Sequence, residues 1–354
     1  MTSKQAQSVY ENSTAIQAAR DVNYSAGISP SQMVEIIESV QKFVQLYTEQ
    51  SKDIIEQRLQ VFRQGIIEEF SSNGGGKPEA FRDPDFQGAL LDAQKAIARS
   101  GDEALGEVLI DLVSQKSRCE KRDRLSLTLN DAISKAGSLT SEDFDLLALI
   151  FIFKNMQMGG IPDTQSLVNK LMMFAPFQDA AEGELAISYL ESHGCLRSSG
   201  GGVITFSNGY DILQQRYPGL LTRGVSEYEM LTVFPENSPL WSPDSDLLRP
   251  SPVNDDLLII VPGDAQMIDE AYERSGLIDR PGNDYISLVK QHVMEADDFY
   301  RLSDPIYPRL RYLINKYDSS GARDANLTSL GLALAHAHLS KIKDFKAPLS
   351  IWVK

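Results

Sequence analysis

The chain has 354 residues, of which 42% are hydrophobic, enough for two or three domains with buried cores. Its formal net charge of −15 argues against non-specific attachment to nucleic acid or anionic membrane, both of which are polyanions. Cys119 and Cys195 lie far apart with no CxxC pair, which excludes a cysteine zinc module and fits a reducing cytoplasm; the N-terminus lacks a secretory-signal pattern.

Near the N-terminus, Ile16 with Ala18 and Val22 with Tyr24 fall on alternate positions, the period of a strand buried on one face. No neighbouring turn and second strand complete a hairpin. An isolated strand must satisfy its backbone elsewhere, and the same segment of another subunit is the expected partner; a frayed arm is the alternative. Ser29, Pro30, Ser31 and Gln32 then form an S-x-x-Q helix start. One amphipathic helix of about 60 Å is expected over 30–72, ending at the glycine run 74–76. Met33, Val44, Ile55 and Ile66 recur at a spacing of eleven, supported by Val40 and Phe62, which describes a nearly straight seam. The polar patch 48–53 interrupts it. Residues 1–29 and 30–72 are therefore read as an oligomerisation strand and an assembly helix. Their contact residues are Ile16, Ala18, Val22, Met33, Val40, Val44, Ile55, Phe62 and Ile66, and packing of the helix on its own domain is the competing reading.

Residues 77–137 read as a helical module. Pro84 opens one helix and Gly101 stops it; Leu105, Val108, Leu109 and Leu112 stripe a second, and Leu125, Leu127, Leu129 and Ile133 a third. Between the last two lies the densest cationic cluster, Lys116, Arg118, Lys121, Arg122 and Arg124. It is a candidate anion or partner patch, with a solvated turn paired to Glu120 and Asp123 as the alternative. The apolar run 146–153 is far short of the roughly 20 residues that span a bilayer and reads as a core helix.

Residues 138–222 resemble a winged helix: helices opening at Ser141, Thr164 and Gly183, then a strand, a glycine-rich tip and a second strand through Val203, Ile204 and Phe206. The shape suits DNA, but the third helix carries Glu182, Glu184 and Glu191 and no Lys or Arg, the wrong sign for a phosphate backbone. A protein contact is expected instead. Residues 223–354 read as a small α+β region. It contains a proline-rich connection, a strand at 257–261, a helix after Asp264, a helix capped by Thr328 and a closing strand at 349–353. His292, Glu295 and Asp298 make too sparse a ligand set for a metal site, and His336 and His338, two apart, point to different faces. No catalytic motif or nucleotide fingerprint stands out, and no cofactor is expected.

The segments STAIQAARDV at 13–22, ARSGDEAL at 98–105, LTSLGLALAHAHL at 327–339 and the terminal LSIWV resemble a family of uncharacterised bacterial proteins over nearly the full length. The AIQAARDV type of strand is also similar to short segments attached to varied domains in bacterial conflict proteins, which implies an assembly role and a place in phage defence. The expected fold is mainly α: an N-terminal strand and long helix for assembly, a helical bundle module, a winged-helix-like module and a small α+β C-terminal region. The expected function is that of a non-enzymatic, cytoplasmic, homo-oligomeric scaffold or sensor, whose partners are itself and another protein, without a membrane and without nucleic acid. A winged-helix DNA-binding regulator and an effector enzyme of unassigned chemistry stay open.

Overall fold

A computed structural model describes residues 28–40, 49–72, 75–198, 207–242, 245–274, 279–342 and 345–354. It is mainly helical. In chain order its helices are α1 (Pro30–Val40), α2 (Glu49–Ser71), α3 (Pro84–Ser100), α4 (Glu103–Ser117), α5 (Arg124–Ala136), α6 (Ser141–Lys154), α7 (Thr164–Met172), α8 (Glu184–Ser192), α9 (Gly209–Arg216), α10 (Glu227–Val233), α11 (Ala265–Arg274), α12 (Gly282–Val289), α13 (Ala296–Ser303), α14 (Leu310–Ser319) and α15 (Ser329–Leu339). Four short strands form two antiparallel pairs: β1 (Leu196–Ser198) with β4 (Ala325–Leu327), and β2 (Leu248–Pro250) with β3 (Leu258–Ile260).

Local chemistry sets most helix starts. Gln32 N–H donates to Ser29 Oγ while Ser29 N–H donates to Gln32 Oε1, the reciprocal box expected from the sequence. Asp83, Asp102, Asp123 and Asp163 each accept from the first turn of α3, α4, α5 and α7. Thr140 and Asp143 box the start of α6, and Thr328 accepts from Gly331 N–H at the start of α15. Gly101 closes α3 with φ at 66°, a left-handed conformation that glycine adopts without a Cβ penalty.

The centre is the pair α6 and α15. Every residue from Phe144 to Phe153 is buried, as are most of α15, so both helices are apolar all round and need cover on every side. α15 also packs on α4 and α5, and α2 lies across α3 and α4. One hydrophobic cluster therefore runs from Ile28 to Val353. Gly331 permits the close approach of α15 to β1: a Cβ there would fall 2.1 Å from the Cys195 carbonyl oxygen. A second, smaller core gathers Val225, Met230, Phe234, Leu240, Ile260, Ile268, Tyr272, Tyr285 and Val289.

Several expectations are corrected. α1 and α2 are two helices packed together and not one: Arg63 on α2 bonds Glu38 on α1 at 2.8 Å, whereas one continuous helix would hold them about 37 Å apart. The seam is covered by its own chain: Met33, Phe62 and Ile66 enter the main core, and Ile55 packs with Leu59 and Ala98. An amphipathic stripe needs an apolar cover, and here α3 and α4 supply it. Ile16, Ala18, Val22 and Val44, and the side chain of Val40, lie outside the described residues. So does the expected wing tip with its second strand, 199–206. Strand β1 pairs with distant β4, which ties the middle of the chain to its end. The terminal segment Leu349–Ile351 is a 3-10 turn and not a strand.

Candidate functional site

A cleft of about 630 Å³ opens where α2, α4, α5, α15 and the terminal segment meet. Each element brings a distinct part of its lining. α4 contributes Asp111 and Gln115, one helical turn apart and so on one face; α15 and its C-cap contribute His336 and Ser340 at the same spacing; α2 brings Glu69. Leu125 and Leu129 of α5, with Phe345, Pro348 and Leu349, form the apolar part. Arg118, Lys121 and Lys346 stand exposed on its rim.

The polar groups hold one another. Gln115 Nε2 donates to Asp111 Oδ2 and lies 3.3 Å from His336 Nδ1. His336 Nε2 lies 2.7 Å from the Ala347 carbonyl oxygen. A carbonyl only accepts, so Nε2 carries the proton and Nδ1 accepts from Gln115. Burial also holds the His336 pKa below its ordinary value, which keeps the ring neutral. Burial raises the Asp111 carboxyl to about 6, against the hydrogen bond from Gln115, the dipole of the nearby Ser340 hydroxyl and the attraction of Arg118. Glu69 adds repulsion and itself accepts from Ser114 Oγ at 2.7 Å. Burial raises the Cys119 thiol too, so this sulfur at the cleft wall is not an activated nucleophile.

The five residues of the cationic cluster are placed differently. Lys116 turns inward, buried against Asp85 at 2.6 Å and hydrogen-bonded to Ser126; burying an ammonium requires such partners. Arg118 and Lys121 reach the cleft rim, while Arg122 and Arg124 are exposed outside its lining. His292, Glu295 and Asp298 do not share a helix, since α13 begins at Ala296. His292 lies 3.2 Å from Glu229, and Asp298 pairs with Arg301 at 2.6 Å. Among the described residues no group of three or more His, Cys, Asp or Glu is placed to hold a metal ion.

Sequence reasoning found Arg118 and Lys121 but missed Asp111, Gln115 and His336. Their one signal was polar residues spaced by four on otherwise apolar helices. The two histidines of α15 do go separate ways: His338, buried, lies 2.6 Å from Asp145 Oδ1 on α6, while His336 faces the cleft. None of the described helices is long and apolar enough to cross a membrane. No curated protein and no solved structure matches the chain significantly. A family model does match, over residues 27–353, and the chain thus belongs to that uncharacterised family along nearly its whole length.

Proposed function

We propose that the protein is a non-enzymatic sensor or scaffold in which the cleft holds a small ligand and the terminal segment that lines it passes occupancy on to a protein contact. The observation carrying this reading is that the imidazole and the thiol of the cleft are engaged or unactivated: His336 has a partner at both nitrogens, and Cys119 is held as a thiol. Asp111 keeps accepting positions beside its bond from Gln115, and with neither a free imidazole nor an activated nucleophile next to it the carboxylate suits recognition of a donor-bearing ligand.

Self-association is the contact we favour, through the strand text at 13–22 and through the outer face of α2, where Ile54 and Val61 are 53% and 71% exposed. A protein partner at α8 is supported by exposed Leu185 and Tyr189 beside acidic Glu184 and Glu191, a surface that disfavours duplex DNA. The resemblance of AIQAARDV to segments of conflict proteins supports a place in phage defence.

The test uses the chain's own cysteines. Cys195 is buried and Cys119 lines the cleft, so the rate of maleimide labelling reads occupancy at Cys119. A panel of nucleotides, amino acids, polyamines and sugar phosphates is screened for slowed labelling, with light scattering of the intact chain alongside. We expect one chemical class to protect Cys119 and the chain to exceed monomer mass. A monomer at tens of micromolar whose labelling no compound slows overturns the reading.

A further inference from the structure

The lining of the cleft narrows the ligand's chemistry. At its base the groups left to meet a ligand are acceptors. A carboxylate offers about four lone-pair positions, and on Asp111 the bond from Gln115 leaves room for at least two more donors. Glu69 adds a second carboxylate. The nearby donors are already directed elsewhere, with the Gln115 amide bonded to Asp111 and His336, and the His336 Nε2–H to Ala347. A ligand must therefore present paired N–H groups here, and an anion at this end would be repelled.

The rim asks for the opposite. Lys121 and Lys346 stand exposed there, while the acids beside them are bound to other partners: Glu120 to Lys77 at 2.9 Å and Asp123 to Ser126 N–H at 2.9 Å. Between base and rim, Leu125 and Phe345, backed by buried Leu129 and Leu349, supply apolar surface that suits a flat ring. A volume of about 630 Å³ matches a drug-sized ligand and would leave most of the space empty around a single amino acid.

We propose that the cleft binds a guanine nucleotide, with the adjacent N1–H and exocyclic N–H of the base on the Asp111 carboxylate and the phosphate at Lys121 and Lys346. A guanidinium carries the same donor fork, so arginine serves as the control for the fork without the ring. This inference rests on the ligand-sensor reading and names its ligand class.

Calorimetry and Cys119 labelling of the full chain with GMP, IMP, AMP, guanosine and arginine test it. GMP is expected to slow labelling and to bind at least about ten-fold more tightly than AMP, with IMP, which lacks the exocyclic amine, between them. Asp111→Asn should abolish the preference for GMP over IMP. In case that variant misfolds, Lys346→Glu at the exposed rim should weaken GMP and leave guanosine unchanged. Affinity should also fall about ten-fold from pH 7.5 to 5 as Asp111 takes up its proton. Equal binding of AMP and GMP, or GMP binding untouched by both substitutions, overturns the nucleotide assignment. Protection of Cys119 by arginine alone, or by another class alone, overturns it while the sensor reading stands; protection by nothing overturns both.

Discussion

Asp111 is retained at a cost to stability. Its carboxyl titrates at about 6 in the fold against 3.8 in a model peptide, so above pH 6 the folded chain carries a charge that burial disfavours, and the unfolded chain does not bear that cost. Below about pH 4 both states are protonated and the penalty disappears. Asp111→Asn is therefore expected to stabilise the protein by up to about 2 to 3 kcal/mol at pH 8, at about 1.4 kcal/mol per pKa unit, and to be neutral at pH 4. Urea unfolding at the two values checks it, and an equal effect at both would show that the penalty is not electrostatic. Lys116 sits in a different balance: its ammonium is buried while Asp85, whose carboxyl it lowers, keeps a side open to water. Removing the partner leaves a buried charge. Asp85→Ala should thus lose about 1 to 2 kcal/mol, discounted for that exposure, and clearly more than Glu120→Ala, whose pair with Lys77 is exposed at both ends.

Among the elements, α2 presents two faces with opposite expected behaviour. Ile66 is 1% exposed inside the main core, whereas Val61 is 71% exposed on the outer face. Ile66→Ala should cost about 3 kcal/mol in urea unfolding, because it opens a cavity beneath α3 and α4. Val61→Ala should stay within about 0.5 kcal/mol. Val61→Asp tests assembly instead: it should lower the mass seen by light scattering without moving the unfolding midpoint, since it would desolvate a carboxylate only at a subunit contact. An unchanged mass would remove α2 from the contact. The sequence seam and the true outer face are thus distinct stripes of one helix.

Over the whole molecule, two cores join at close backbone approaches. A Cβ on Gly219 would lie 2.0 Å from the Gly263 carbonyl oxygen, and Gly263 N–H donates to the Pro162 carbonyl at 2.9 Å. The smaller core draws on a limited set of side chains around Phe234, Tyr272 and Tyr285, so it is expected to open below the free energy of global unfolding. Phe234→Ala, costing about 3 to 4 kcal/mol, should raise hydrogen exchange in α10, α11 and α12 while leaving α6 and α15 protected. Equal loss of protection in all five helices would mean that the cores unfold as one. The same molecule should not bind duplex DNA at physiological salt, because α8 is acidic and the chain carries −15 overall; a sub-micromolar, salt-sensitive polarisation titration would contradict this.

By itself the sequence determined the mainly helical class, the helix starts at Ser29, Pro84, Ser141, Thr164, Gly183 and Thr328, and the stop at Gly101. Capping is settled by hydrogen bonds within about four residues, and those residues are adjacent in the text. It also marked 146–153 as a core helix and a further helix capped by Thr328, and these proved to be the central pair. What covers each apolar face was decided only by the tertiary structure. An amphipathic stripe records that it must be buried and not against what, so the seam of Met33, Phe62 and Ile66 reads equally as a subunit contact or as a wall of its own core. Strand β1 found its partner in β4 rather than nearby, because backbone pairing carries little sequence signature. The cleft lay beyond sequence reasoning for the same reason. Gln115 and His336 are separated by 221 positions, and only the packing of α15 on α4 brings them within hydrogen-bonding reach.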